Sequence, residues 1–182
     1  IQGEESYIPG IFDKCFKALE FFKDRLDEFD YIIRPNLSSF LILPRLDKYL
    51  QTQQKKGFYA GPLAIFRNDE GKEGNDLPYA VGSCIIFSSD LAKKLVQCGH
   101  NLIGLEYSTY HADDLLFARF FKQHQIPLRP IPTMSIERFV EPHRIYPFIG
   151  EDVFHFRIRT WGMDRYRYEK LIHEELYEIF YE

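Results

Sequence analysis

Phe29-Asp30-Tyr31-Ile32-Ile33-Arg34-Pro35-Asn36-Leu37-Ser38-Ser39-Phe40 is the stretch on which the fold turns. Four residues of strand character, Tyr31 to Arg34, run into a proline and then into short polar side chains. The pattern predicts a buried parallel strand that ends in a polar loop. Such a loop lies at the carboxyl edge of a sheet, where open α/β sheets bind ligands.

The segments around it alternate between the two secondary-structure periods. Pro9 opens a helix predicted to reach about Phe29, because proline is tolerated in a first turn. Its apolar positions Ile11, Cys15, Ala18, Leu19, Phe22, Leu26 and Phe29 recur at three- and four-residue steps. Pro44 to Gln51 reads as a helix with Leu43, Leu46, Tyr49 and Leu50 inward. Phe58 to Phe66 reads as one or two short strands broken at Gly61-Pro62. The charged, glycine-containing run Asn68 to Asp76 is expected to be a mobile surface loop.

Gly82 to Ser88 is expected to be a second buried strand, followed by a helix from Asp90 to about Gln97 that Gly99 ends. Asp113 to Gln125 reads as a strong helix with Leu116, Phe117, Phe120 and Phe121 inward. Ile126 to Pro132, with three prolines, suits an edge strand. Val153 to Arg159 alternates as a strand does, and Asp164 to the end reads as a helix. The whole predicts an α/β fold, a mixed and mostly parallel sheet flanked by helices, in one domain over residues 1–182.

At 182 residues the chain is long enough for one sizeable core. Its net charge of −4 and pI near 5.9 give no general attraction for polyanions, which argues against nucleic acid as the partner. Cys15, Cys84 and Cys98 have no metal-type spacing; Cys15 and Cys84 sit in apolar contexts and read as buried thiols. No run approaches the roughly 18 apolar residues that span a bilayer, so no membrane segment is expected. The chain starts at Ile1 with no signal-peptide pattern, which suits an excised or processed form; cytoplasm and Golgi lumen both stay open.

Four polar constellations could carry chemistry. In Arg34-Pro35-Asn36-Leu37-Ser38-Ser39, the Asn and Ser oxygens suit a cation or a sugar hydroxyl and Arg34 a phosphate; the same residues suit a turn or cap. In Tyr79 to Ser83, Gly82 permits close backbone approach to a ligand, while Ser88-Ser89-Asp90 beyond it reads as an N-cap. Asp113 and Asp114 open a helix, where the dipole favours acids; capping accounts for one of them, and an ionised pair there suits proton abstraction from a hydroxyl. His155, Arg157 and Arg159 share one strand face, fitting either a diphosphate or a solvated surface. Trp161 and Tyr166 beyond them either stack on a ring or pack. His100, His124, His143 and His173 have no partner pattern and receive no role.

The order of these segments resembles the central and C-terminal parts of β-1,3-galactosyltransferase and Fringe-type glycosyltransferases. The resemblance runs over about residues 5 to 160 on Ser6-Tyr7 through Lys14, Asn36-Leu37-Ser38, Pro78-Tyr79-Ala80-Val81-Gly82 to Ser89, Asp113-Asp114 and His155. It implies a GT-A fold and inverting transfer from a nucleotide-sugar, a UDP-sugar foremost, to a glycan or glycoprotein acceptor. Asp113 or Asp114 would be the base; Arg34, Asn36, Ser38, Arg157 and Arg159 would surround the diphosphate; Tyr79 and Gly82 would line the acceptor side; Asn36 and His155 would face a Mn²⁺ ion. The family's acidic triplet falls on Asn36-Leu37-Ser38, so affinity for a hard cation is expected to fall, with Arg34, Arg157 and Arg159 replacing its charge. The family's base-cradling strands would precede Gly3. The alternative is a catalytically inactive relative that binds glycan or protein. A metal-dependent phosphodiesterase using Asp113, Asp114 and His155 ranks last, since it lacks the further acidic ligands of a two-metal centre.

Overall fold

A computed structural model describes residues 10–67, 76–103, 113–137, 149–161 and 164–182. The class is the one expected: mixed α/β, with sheets of mixed strand sense flanked by helices. The acidic lead-in, Pro9 and nearly all of the Asn68 to Asp76 loop lie outside the described residues. Where the sequence predicts one domain, the chain groups into two compact units, each assembled from two stretches: 1–34 with 54–130, and 35–53 with 131–182.

The first unit begins with α1 (Gly10–Phe21), which tightens into a 3-10 helix over Lys23–Glu28. Its inner face is rotated from the predicted one. Phe12, Phe16 and Leu19 are buried, Ile11 and Cys15 are half-buried, and Phe22 and Phe29 are exposed. Both stripes have helical spacing, and the pair of phenylalanines has more apolar area to hide. β1 (Tyr31–Pro35) follows, then β3 (Tyr59–Gly61), β4 (Leu63–Phe66), β5 (Leu77–Ala80), β6 (Cys84–Ser88), α3 (Ser89–Ile103), α4 (Asp113–Gln123) and β7 (Leu128–Pro130). The main sheet runs β1-β6-β3-β7, with β3 antiparallel to β6 and parallel to β7.

β1 is therefore an edge strand, half-buried along Tyr31 to Arg34, and the expected buried position belongs to β6, which is covered throughout. β4 and β5 form a separate antiparallel ribbon. Gly61 makes the break between β3 and β4 possible: a Cβ there would lie 2.4 Å from Ala80 Cβ and 2.7 Å from the Cys84 carbonyl. The core is aromatic, with Tyr59 against Phe121 at 4.3 Å between ring centroids and Phe87 against both Phe117 and Phe121. All four inward residues expected of α4 are buried.

Two local expectations fail. α3 runs past Gly99 to Ile103. The side chains of Ser88, Ser89 and Asp90 do not cap it but tie it to other segments. Phe58 N–H donates to Ser88 Oγ at 2.9 Å, Ser89 Oγ donates to the Phe29 carbonyl, and the Asp90 carboxylate accepts from Gly57 N–H. α4 ends in a hydrogen-bonded reversal, Gln125 N–H to the Lys122 carbonyl and Ile126 N–H to the Phe121 carbonyl, with Gln125 at φ 59 in a place that favours glycine.

The second unit holds β2 (Ser39–Leu41), α2 (Leu43–Gln51), β8 (Thr133–Ile136), β9 (His155–Ile158) and the C-terminal helix, labelled α5 (Arg165–Tyr181). The strand order is β2-β9-β8, antiparallel between β2 and β9 and parallel between β8 and β9. Three of the described registers are thus antiparallel and two parallel. Phe40, Leu46, Phe154, Phe156, Ile172 and Leu176 are buried, whereas Leu43, expected inward, is exposed at the start of α2. Tyr181 fastens α5 to that start: its hydroxyl donates to the Leu41 carbonyl at 2.8 Å and accepts from Leu43 N–H at 2.6 Å.

Candidate functional site

In the first unit the end of β1, the turn before β6 and the first turn of α4 bring Arg34, Gly82, Asp113 and Asp114 together. Arg34 Nη2 lies 2.5 Å from Asp113 Oδ2, and Arg34 Nη1 donates to the Gly82 carbonyl. Gly82 N–H donates to Asp114 Oδ2 at 3.2 Å, and Leu115 N–H donates to Asp114 Oδ1 at 2.9 Å. A Cβ on residue 82 would meet Arg34 Nη1 at 3.1 Å, Asp114 Oδ2 at 3.5 Å and Asp113 Oδ1 at 3.7 Å, so glycine is what lets the turn close on the charges.

The electrostatics of this cluster are unusual for two carboxylates. Asp113 is 4% exposed, and its Oδ2 touches the guanidinium without an aligned N–H, an ion pair rather than a hydrogen bond. Burial pushes its pKa from 3.8 up to about 6; Arg34 opposes the rise and Asp114 adds to it. Burial also raises Asp114, against the pull of its bonds from Gly82 and Leu115. Cys15 lies in the same field, its thiol pushed up to about 12 mainly by burial, and is inert as a nucleophile. A carboxyl near 6 is a better proton acceptor than an ordinary carboxylate and is ionised at neutral pH. Asp114, with both oxygens on backbone N–H groups, fixes the turn.

In the second unit Asn36 behaves as a turn residue. Its Oδ1 accepts from Ser38 N–H at 3.1 Å, Ser38 Oγ at 2.8 Å and Ser39 Oγ at 3.0 Å. His155 is fully buried, with Nδ1 at 3.1 Å from Thr133 Oγ1 and Nε2 at 3.4 Å from Ser39 Oγ. Burial, with a smaller push from Arg157, lowers it to about 4, so the ring is neutral. Of the predicted strand face, His155 is thus neither solvated nor open, while Arg157 is half-buried and Arg159 exposed. Arg159 Cζ lies 4.5 Å from the Trp161 ring centroid.

The expected residues therefore gather in two places: Arg34, Gly82, Asp113 and Asp114 in one unit, and Asn36, Ser38 and His155, joined through Ser39, in the other. Tyr79 sits half-buried in β5 opposite Ala64. Sequence reasoning missed Ser39 and Thr133 as partners of His155; Thr133 faces it only through the β8–β9 register. The side chains named for Mn²⁺ do not fit a metal site well. Asn36 Oδ1 already takes three donors, both ring nitrogens of His155 face hydroxyls, and no three His, Cys, Asp or Glu gather to hold an ion among the described residues. No helix among the described residues is long and apolar enough to cross a membrane. No family model matches the chain, and no curated protein matches it either.

Proposed function

We propose that the chain is a GT-A-like inverting glycosyltransferase that moves a sugar from a nucleotide-sugar, a UDP-sugar foremost, to a hydroxyl of a glycan or glycoprotein. The observation that carries this reading is the Asp113 carboxyl, buried beside Arg34 and raised to about 6. Asp113 takes the proton of the acceptor hydroxyl. The acceptor oxygen forms its bond to the anomeric carbon as the bond to the diphosphate oxygen breaks, and the nucleoside diphosphate departs from the opposite face. Asp114 holds the Gly82 turn, with Tyr79 and Gly82 on the acceptor side. Arg34, beside Asp113 in the same unit, supplies positive charge for a departing diphosphate. No step here passes through Mn²⁺.

The test is transfer from UDP-hexoses to hydroxyl acceptors by the purified chain. Asp113→Asn is expected to abolish transfer with the fold intact by circular dichroism, and Asp114→Asn to lower it. Full activity in both variants overturns the assignment. Turnover unchanged by EDTA agrees with the arginine-based charge, and strict Mn²⁺ dependence refutes it.

A second reading, an inactive module that binds glycan or protein, draws on one observation: Asn36 Oδ1 and both Asp114 oxygens are already engaged internally. Calorimetry separates the two, since such a module ignores UDP-sugars while binding an acceptor.

A further inference from the structure

The first unit holds a cavity of about 330 Å³, and the Arg34, Gly82, Asp113 and Asp114 cluster is not part of its lining. It lies among the second half of α4, β5 and the reversal that leads from α4 into β7. Leu77, Ala118, Ile126 and Leu128 make it apolar, and Tyr59 adds an aromatic ring. Tyr59 is held from two directions: Ala80 N–H donates to its hydroxyl at 3.0 Å, and its ring packs on Phe121. Ala118 stands among Phe117, Phe120 and Phe121 on α4 and leaves space that a larger side chain would fill. The volume is at the lower end of the range for ligand pockets, roughly 300–1,000 Å³. It equals the liquid share of about eleven waters, at about 30 Å³ each.

Lys122 and Gln125, both exposed, bring polar groups to this apolar lining. Lys122 has no carboxylate partner among the described residues, and its ammonium reaches the Asp76 carbonyl at a long 3.5 Å. Gln125 has φ 59, the one positive value among the described non-glycine residues. Glycine would adopt that backbone without strain, so a longer amide kept there, lining a cavity, points to a use for its side chain. The carbonyls of the last helical turn, which would repel an anion, are engaged: Phe120, Phe121 and Lys122 accept from the N–H groups of His124, Ile126 and Gln125. We infer that the cavity binds a small carboxylic acid, its apolar body beside Ala118 and Leu128 and its carboxylate on Lys122 and Gln125. The helix sets the direction, because Ala118 has Lys122 one turn after it and Asp114 one turn before it on the same face. At 1.5 Å per residue Asp114 is about 12 Å from Lys122 along the axis, so the carboxylate belongs at the Lys122 end. A cation would face Lys122, and a wholly apolar guest would leave both polar groups idle. None of this depends on the transferase reading.

Three probes of nearly equal size and different charge test it by calorimetry on the full chain at pH 7: 3-phenylpropanoate, 3-phenylpropanamide and 3-phenylpropylamine. The acid is expected to bind saturably at one site, the amide about ten-fold more weakly for want of a charge-assisted contact, and the amine not at all. Lys122→Met keeps the apolar stem and removes the charge, so it should bring the acid down to the affinity of the amide and leave the amide unchanged. Gln125→Gly should weaken the acid roughly two- to ten-fold, the worth of one neutral hydrogen bond. Lys122 and Gln125 are exposed, so both variants are expected to fold, which circular dichroism checks. Ala118→Leu fills the cavity and should remove binding of acid and amide alike; if it does not fold, the other two variants decide.

The absence of binding by the acid overturns the inference. So does an amide or amine that binds as tightly as the acid, which would make the site indifferent to the charge of Lys122. Acid affinity unchanged in Lys122→Met or in Gln125→Gly, or kept in a folded Ala118→Leu, places the ligand elsewhere and overturns it as well.

Discussion

Replacing Asp113 with asparagine separates the electrostatic account of the acidic pair from every other contribution to stability. The Asp113 pKa is 3.8 in an unstructured chain and about 6 in the fold. At about 1.36 kcal/mol per pH unit, this displacement amounts to about 3 kcal/mol. The folded chain holds the proton more tightly, so the stability is fully present below pH 3.8 and is lost as the pH rises through 6. The attraction of Arg34 is already contained in that value. The asparagine side chain cannot ionise and stays close to the protonated carboxyl in shape, so the variant lacks this loss. Urea unfolding of both proteins at pH 4, 5, 6 and 7 should show the variant gaining on the wild type by roughly 2.4 kcal/mol across the range, mostly between pH 4 and 6. The comparison cancels the titration of groups the two chains share. A difference that stays flat within about 1 kcal/mol, or that moves the other way, would falsify the claim that Asp113 is a buried, destabilised carboxylate.

Three further outcomes follow from the packing. Arg34→Met leaves Asp113 buried without its counter-charge and should cost about 3 kcal/mol at pH 7 by chemical denaturation, and less near pH 4.5 where Asp113 is protonated. Gln125→Gly should raise stability by about 1 kcal/mol, since it removes the left-handed backbone penalty at φ 59; a lower unfolding midpoint would contradict it. Phe121→Ala removes a fully buried ring that touches Tyr59, Phe87, Phe117 and Phe120, and should cost about 3–5 kcal/mol, read from the same unfolding curves.

What can be read from the sequence is whatever a local period determines. The inward face of α4 follows from the spacing of Leu116, Phe117, Phe120 and Phe121, and the break at Gly61-Pro62 from two residues that end strands. β5 escapes notice because it is four residues long and contains Pro78. Gly99 suggests a helix end, but a single glycine inside an apolar period is tolerated and α3 continues. The Ser88-Ser89-Asp90 run looks like a cap, but its partners lie on Phe58, Phe29 and Gly57, which no local pattern discloses. The acidic pair is visible as a pair. Its raised basicity is not, because that comes from burial, only partly offset by Arg34, which is brought in from a distant strand. The same holds for His155, whose hydroxyl partners come from two neighbouring strands.

The interleaving of the two units has a consequence for synthesis on the ribosome. β2 emerges early, yet Ser39 and its partner His155 are separated by 116 positions. At bacterial to eukaryotic elongation rates that interval is roughly 6–23 s. During it Phe40, Ile42 and Leu46 have no β9 to shelter them, and a strand with open backbone edges hangs from a nascent chain. Holdase chaperones that grip short aromatic-aliphatic segments therefore have a defined window on 39–46, and release has to be timed to the arrival of β9.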